Sequence, residues 1–187
     1  GDGPAGITVA GGSAVAGVVA GLAPAQGVLC GSILSGLRMQ PGRWSGAYGC
    51  WGTQNREAAV RFLPAGQHNP HGGNVVVYLL DTSANPYLAS AAILGLALDG
   101  IDRELVAPGQ VNVDPATLTQ AQRDEAGITV LTSNHLQTIN TLDESSLLRS
   151  ILGNEVVDTV VAVRRYEHDH YGDLEPEQLT ERFRLAW

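Results

Sequence analysis

The sequence predicts an α+β fold, and three observations carry that expectation. Two strand-like runs fall in the middle of the chain, Glu-Ala-Ala-Val-Arg-Phe-Leu at 57–63 and Asn-Val-Val-Val-Tyr-Leu-Leu at 74–80. A helix with clear start signals follows, with Asn85 as N-cap and Pro86 at its first position. The last third then reads as one helix after another. Strands followed by helices, without regular alternation, is the order of an α+β domain.

The elements run as follows. A helix is expected over 8–22, inside the apolar stretch Ile7 to Ala25, which carries Gly11, Gly12, Gly17 and Gly21 and reaches Pro24. It has no basic segment before it and Asp2 sits in front, so it fits a small-residue helix inside a soluble protein better than a signal or spanning segment. An apolar, strand-like segment is expected at 27–37, then a Gly/Trp-rich loop at 40–53. Between the two strands lies a polar loop, Pro64 to Gly73, with His68, Pro70 and His71. The helix after Pro86 shows a stripe of Leu88, Ala91, Ala92 and Leu98, and Gly100 is expected to close it. Residues 102–130, with Pro108, Gly109 and Pro115, read as loop with short helical turns. Helices are then expected over Asn134–Leu142, over Ser145–Leu152 with a stop at Gly153, and over Glu155–Tyr171. In the last of these Val156, Val157, Val160, Val161 and Val163 lie on or near the buried face. Glu175–Pro176 opens a final amphipathic helix that ends at Trp187.

Composition narrows the chemistry. The chain has 187 residues, enough for one domain or a large part of one, and 44% of them are apolar. All eleven basic residues are Arg, so Schiff-base, P-loop and general-base lysines are excluded. A net charge of −8 argues against a nucleic-acid surface. Cys30 and Cys50 form no CxxC pair and are expected as two buried free thiols of an intracellular protein, with a disulfide between them as the alternative. The chain has no GxSxG, no HExxH and no P-loop.

The densest candidate site is Arg38, Arg56 and Arg61. Arginine suits planar, bidentate capture of phosphate or carboxylate, and these three can face one cleft. From spacing alone, pairing with Glu57, Asp81 or other acids is the favoured explanation. His68 and His71 lie three apart, but Pro70 forbids a regular helix between them, so a solvated loop is expected. Glu167, His168, Asp169 and His170, near a helix C-terminus, are likewise expected to be solvated, because a metal site needs more converging ligands. Capping and solubility account for Glu175, Glu177 and Glu181.

Several segments together go further. Arg38-Met-Gln-Pro-Gly-Arg-Trp44 and Cys50-Trp-Gly-Thr-Gln-Asn-Arg-Glu-Ala-Ala-Val-Arg61 resemble the arginine-bearing region of glutamine synthetases. Asp81-Thr-Ser-Ala-Asn-Pro-Tyr-Leu88, with Leu98-Asp-Gly-Ile101 after it, resembles the family's Ala-Asn-Pro-Tyr helix, and Leu142 to Gly153 resembles a later helical segment. The order and spacing match over nearly the whole chain. The resemblance implies that residues 1–187 are the C-terminal part of a glutamine synthetase-like catalytic domain, an antiparallel sheet with flanking helices. It implies an ATP- and Mg2+-dependent carboxylate–amine ligase that works through an acyl phosphate. Arg38 matches the arginine that holds the amino-acid carboxylate, and Arg56 and Arg61 match arginines that contact the phosphates. Trp44 stands where ammonia-using members place a Glu, as in the subgroup that glutamylates polyamines or other amines.

The same resemblance exposes departures. Val76 and Tyr78 occupy positions where the family has a metal-ligand Glu and an Arg, and Asn74 replaces a further Arg. The family's Asn-Ser-Tyr reads Leu34-Ser-Gly36. The family's other metal-binding Glu residues, its His motif and its small N-terminal domain would lie upstream of residue 1. Two expectations follow. One is a working ligase region in a cytoplasmic homo- or hetero-oligomer, completed by an N-terminal part or subunit, acting on a glutamate-like acid and a small amine. The other is a degenerate member with a structural, regulatory or partner-subunit role. A third use, with His68 and His71 as new ligands, stays open. The isolated chain is expected to be inactive in the first two cases.

Overall fold

The structure is a computed structural model that describes residues 4–68 and 71–185. Asn69 and Pro70 of the histidine loop, and the expected helix end at Trp187, lie outside the described residues. The first long element is helix α1, Val9–Leu29, capped by the Thr8 hydroxyl, which accepts from the Gly11 N–H. It continues through Pro24 rather than stopping there. Its second half buries Leu22, Ala25, Val28 and Leu29, and that burial carries the helix past the hydrogen bond proline removes. The expected strand at 27–37 is therefore the end of α1, a turn, and the short helix α2, Ser35–Arg38.

Strand β1, Tyr48–Gly52, lies within the segment expected to be loop. Strands β2, Ala58–Leu63, and β3, Asn74–Val77, follow the predicted runs, and β4, Thr129–Val130, completes a sheet of order β3-β2-β1-β4. The α+β class holds. The sheet is mixed, because β1 and β2 run parallel while β1–β4 and β2–β3 are antiparallel. Parallel neighbours ordinarily need a long crossover, yet here residues 53–57 alone connect them. Side chains hold that strap: Asn55 Nδ2 donates to the Val111 and Val113 carbonyls, and Asn112 Oδ1 accepts from the Thr53 and Gln54 N–H groups.

Helix α3, Pro86–Asp102, starts at the Asn85 cap as predicted. Its buried residues are Ala89, Ala92, Leu96 and Gly100, whereas Leu98 and Leu94 are exposed. The small face wins because α1 approaches at backbone distance. A Cβ on Gly17 would overlap the Leu96 carbonyl and stand 2.7 Å from the Gly100 Cα. Gly100 is thus a close-packing residue and not the helix stop.

The region 102–130 holds a 3-10 turn at Pro115–Thr117 and helix α4, Gln120–Glu125. Helices α5, His135–Asp143, and α6, Ser146–Leu152, start at the Asn134 and Ser145 caps. Helix α7, Asn154–Tyr171, and α8, Pro176–Phe183, complete the chain. The main core joins α1, α3, α5, α6 and α7 to one face of the sheet, around Leu22, Leu29, Trp51, Leu79, Leu96 and Leu142. Among the described residues, α1 is the one helix long and apolar enough to span a bilayer, and two thirds of it, 67%, is buried. Cys30 and Cys50 are free and buried, and burial pushes both thiols up to about 12, so neither is a thiolate nucleophile at neutral pH.

Candidate functional site

Arg38 closes α2, and α7 sets where α2 lies. The buried Glu167 of α7 accepts from the Ile33 N–H at 3.1 Å through one oxygen and from Arg164 at 3.0 Å through the other. It was expected to be solvated; instead, burial raises its pKa, opposed by the Arg164 charge and the Ile33 N–H. His135 of α5 joins the same cluster, with Nε2 3.2 Å from the Arg164 carbonyl, and burial pushes its imidazole down to about 4.

Arg38 reaches from α2 to the exit of β3. Its Nη2 donates to the Leu79 carbonyl at 2.9 Å, and its Nη1 donates to the carbonyls of Ser45 at 3.3 Å and Tyr78 at 3.5 Å. Its Nε lies 3.7 Å from Asp81. Asp81 also accepts from the Ser35 hydroxyl at 2.8 Å and from the N–H and hydroxyl of Ser83. Burial works against this carboxylate, but the hydrogen bonds from Ser83 and Ser35 and the Arg38 charge outweigh it, so its pKa falls below the ordinary value.

Between Arg38 and β1 the chain makes a loop in which Gly42, Trp44 and Gly46 all have positive φ, at 78°, 50° and 69°. Gly46 must lack a side chain, since a Cβ would sit 3.0 Å from both the Ala59 Cα and the Leu79 N. Trp44 carries the left-handed conformation at a cost of about 1–2 kcal/mol. Its backbone N–H donates to Glu57 at 3.0 Å, and that of Gly42 donates to the same carboxylate at 3.3 Å. The Trp44 ring is open to solvent, and the Arg56 guanidinium lies 5.6 Å from its centroid, within cation–π range.

Arg61 stands on β2 directly opposite Val76 of β3. The period-two alternation puts Arg61, Val76 and Tyr78 on one face, because Tyr78 donates its N–H to Ala59, two residues before Arg61. Arg61 Nη1 donates to the Tyr78 hydroxyl at 3.2 Å and Nε to the Thr53 carbonyl at 3.2 Å. Arg61, Thr53, Gln54, Leu63 and Pro64 line an open cleft of about 330 Å3. Tyr78 thus links two of the predicted arginines, Arg38 at its carbonyl and Arg61 at its hydroxyl.

The acid-pairing alternative holds for Arg38, which has Asp81. It does not hold for Arg56 or Arg61, which form no ion pair with any described residue. Arg56 lies in the 53–57 strap and Arg61 on β2 just after it, and both are equipped to meet an anion. His68 and His71 are exposed, and no group of three or more His, Cys, Asp or Glu among the described residues is placed to hold a metal. On the face that carries Arg61, β3 and its exit present the apolar Val76 and the Tyr78 hydroxyl, which offer no carboxylate to a divalent ion.

Sequence reasoning missed Glu57 and Asn55 as organisers of this mouth. Glu57 is only 5% exposed and bonds to backbone N–H groups rather than to an arginine. Asn55 ties the strap while its Oδ1 accepts from the Glu57 and Ala58 N–H groups. The available signal was an acid at the start of an apolar strand, where a solvated charge is out of place.

Known proteins resemble this chain over nearly its whole length. Residues 1–182 match the family model described as glutamine synthetase, catalytic domain. The chain is 31% identical over 184 residues to a gamma-glutamylpolyamine synthetase of Streptomyces coelicolor, covering 97% of this chain and 39% of that protein. It is 35% identical over 156 residues to a glutamate–methylamine ligase of Methyloversatilis universalis, covering 80% of this chain and 33% of the other. A crystal structure of a novel glutamine synthase homolog superposes with a TM-score of 0.81 at 27% identity, covering 100% of this chain and 41% of that one. The chain therefore spans about two fifths of these proteins or less.

Proposed function

This chain belongs to the glutamine synthetase family, through its catalytic domain, and we propose that it forms the C-terminal part of an ATP-dependent carboxylate–amine ligase. In that reaction ATP phosphorylates the side-chain carboxylate of a glutamate-like acid, and an amine then displaces the phosphate. The observation that carries the reading is Arg61, a cation lining an open cleft, together with Arg56, a cation beside the Trp44 ring, neither with a carboxylate partner among the described residues. We assign them to the phosphates, where developing negative charge needs fixed cations. Arg38 is assigned to the substrate carboxylate. Trp44 is assigned to the amine side, where an aromatic face receives an alkylammonium group better than ammonia. Polyamine and methylamine ligases among the similar proteins support that choice.

Mg2+ does not fit the residues present here, because Val76 offers no oxygen. No step is derived through it, and its ligands would come from another part of the protein. We infer that such a part, or a subunit of a homo- or hetero-oligomer, completes the site in a cytoplasmic setting. The exposed apolar side chains of Leu94, Leu98, Ile101 and Val106 support a covering partner. Val76 and Tyr78 favour a second reading, a family member that binds or organises partners without catalysis.

The test is ADP release by the complete protein supplied with ATP, Mg2+, glutamate and, in turn, ammonium, methylamine and a polyamine. The ligase reading expects amine-dependent release that Arg61→Ala lowers by about 100-fold in kcat/KM. No release with any amine would establish the non-catalytic reading instead.

A further inference from the structure

The loop that presents Trp44 is built around an internal anion. Gly42, Trp44 and Gly46 alternate in left-handed backbone conformations, with φ of 78°, 50° and 69°. Such a backbone turns successive N–H groups toward one side and makes a concave anion site. In this protein that site is filled by Glu57, whose two carboxylate oxygens take the Gly42 N–H at 3.3 Å and the Trp44 N–H at 3.0 Å. The rest of the loop is tied independently: Arg38 holds the Ser45 carbonyl, and the Ser45 hydroxyl donates to the Gln40 carbonyl at 3.3 Å. Trp44 itself has little else to hold it, since its side chain is 65% exposed and meets Arg56 at 5.6 Å.

We propose that Glu57 is a positioning residue: it clamps the Gly42–Trp44 backbone and so fixes the Trp44 indole beside Arg56 at the mouth of the site, setting amine selectivity without touching the amine. The selectivity part rests on the ligase reading above; the clamp itself does not. Glu57 is 5% exposed and lies immediately before β2, with its N–H held by Asn55 Oδ1, so the strap and the sheet fix its position. Two N–H bonds to one charged acceptor hold a backbone that Trp44 would otherwise leave for a less strained conformation. Glu57→Gln keeps the shape but leaves a single carbonyl oxygen, so one of the two bonds is lost.

Trypsin reads the clamp directly, because Arg43 lies in the exposed loop just before Trp44. In the complete protein under native conditions, Glu57→Gln is expected to be cut after Arg43 about tenfold faster than wild type, as loss of a charged hydrogen bond raises the open population. Trp44→Asn, which accepts the left-handed conformation and keeps the N–H, is expected to be cut at the wild-type rate. Equal cutting of wild type and a folded Glu57→Gln overturns the clamp. Amide exchange on the unaltered protein decides the matter even if that variant fails to fold. The Trp44 N–H is expected to exchange slowly despite its exposed side chain, and fast exchange overturns the clamp. Given ligase activity, Glu57→Gln is expected to raise KM for the amine severalfold with kcat little changed, and an unchanged KM overturns the selectivity role. Absence of any ligase activity removes the proposed function and that role, while the protease and exchange results still judge the clamp.

Discussion

Tyr78 is engaged at both ends, its carbonyl by Arg38 and its hydroxyl by Arg61. The hydroxyl bond sets a neutral group beside the Arg61 guanidinium on the same sheet face. Tyr78→Phe is expected to lower stability by about 1 kcal/mol, and a double-mutant cycle with Arg61→Ala to show a coupling of about 0.5–1.5 kcal/mol by urea unfolding. A coupling near zero would mean that the bond does not hold Arg61. The sequence singled out the three arginines because their spacing resembles the family's and the chain has no lysine. The acid at Glu57 was out of place before an apolar strand, but its partners were not legible, since they are backbone N–H groups positioned by a loop with three positive φ values.

At the scale of elements, α1 and α3 meet through glycine. Gly100→Ala is expected to cost about 1–3 kcal/mol, since its Cβ would overlap the Ser13 carbonyl of a helix that cannot retreat from the core. A fall in Tm of about 2–4 °C per kcal/mol would record it by calorimetry. The helix starts were readable at Asn85, Asn134 and Ser145 because a cap is a local device. The face of α3 was not: sequence favours the larger residue Leu98, while packing favours the small one, Gly100, that lets α1 approach. Strand β1 also escaped, because Tyr-Gly-Cys-Trp-Gly is buried throughout and shows no alternation.

The α5–α7 junction makes the fold sensitive to acid. His135 is protonated near 6.5 when unfolded but only at about 4 when folded. Its contribution is therefore complete above pH 6.5 and is lost as pH falls toward 4, about 3 kcal/mol in all. Glu167 has a raised pKa and acts in the opposite sense, regaining stability as it protonates, so the two partly cancel. His135→Gln is expected to flatten the loss between pH 6.5 and 4.5 in urea-unfolding measurements, and an unchanged slope would assign that loss elsewhere.

On the scale of the whole molecule, the chain supplies a sheet face with arginines and a helical scaffold behind it, yet it spans at most about two fifths of the similar proteins named above. Its open cleft at Arg61 and its exposed leucines on α3 are consistent with the proposal that another part or subunit completes the site. The central claim is that the completed site activates a carboxylate as its phosphate. Hydroxylamine tests this most directly, because it captures an acyl phosphate as a stable hydroxamate without requiring the right amine. The complete protein, given ATP, Mg2+, glutamate and hydroxylamine, is predicted to form glutamyl hydroxamate in an ATP-dependent manner, and Arg61→Ala to abolish most of it. A folded, complete protein that forms no hydroxamate above the level seen without ATP would contradict the account.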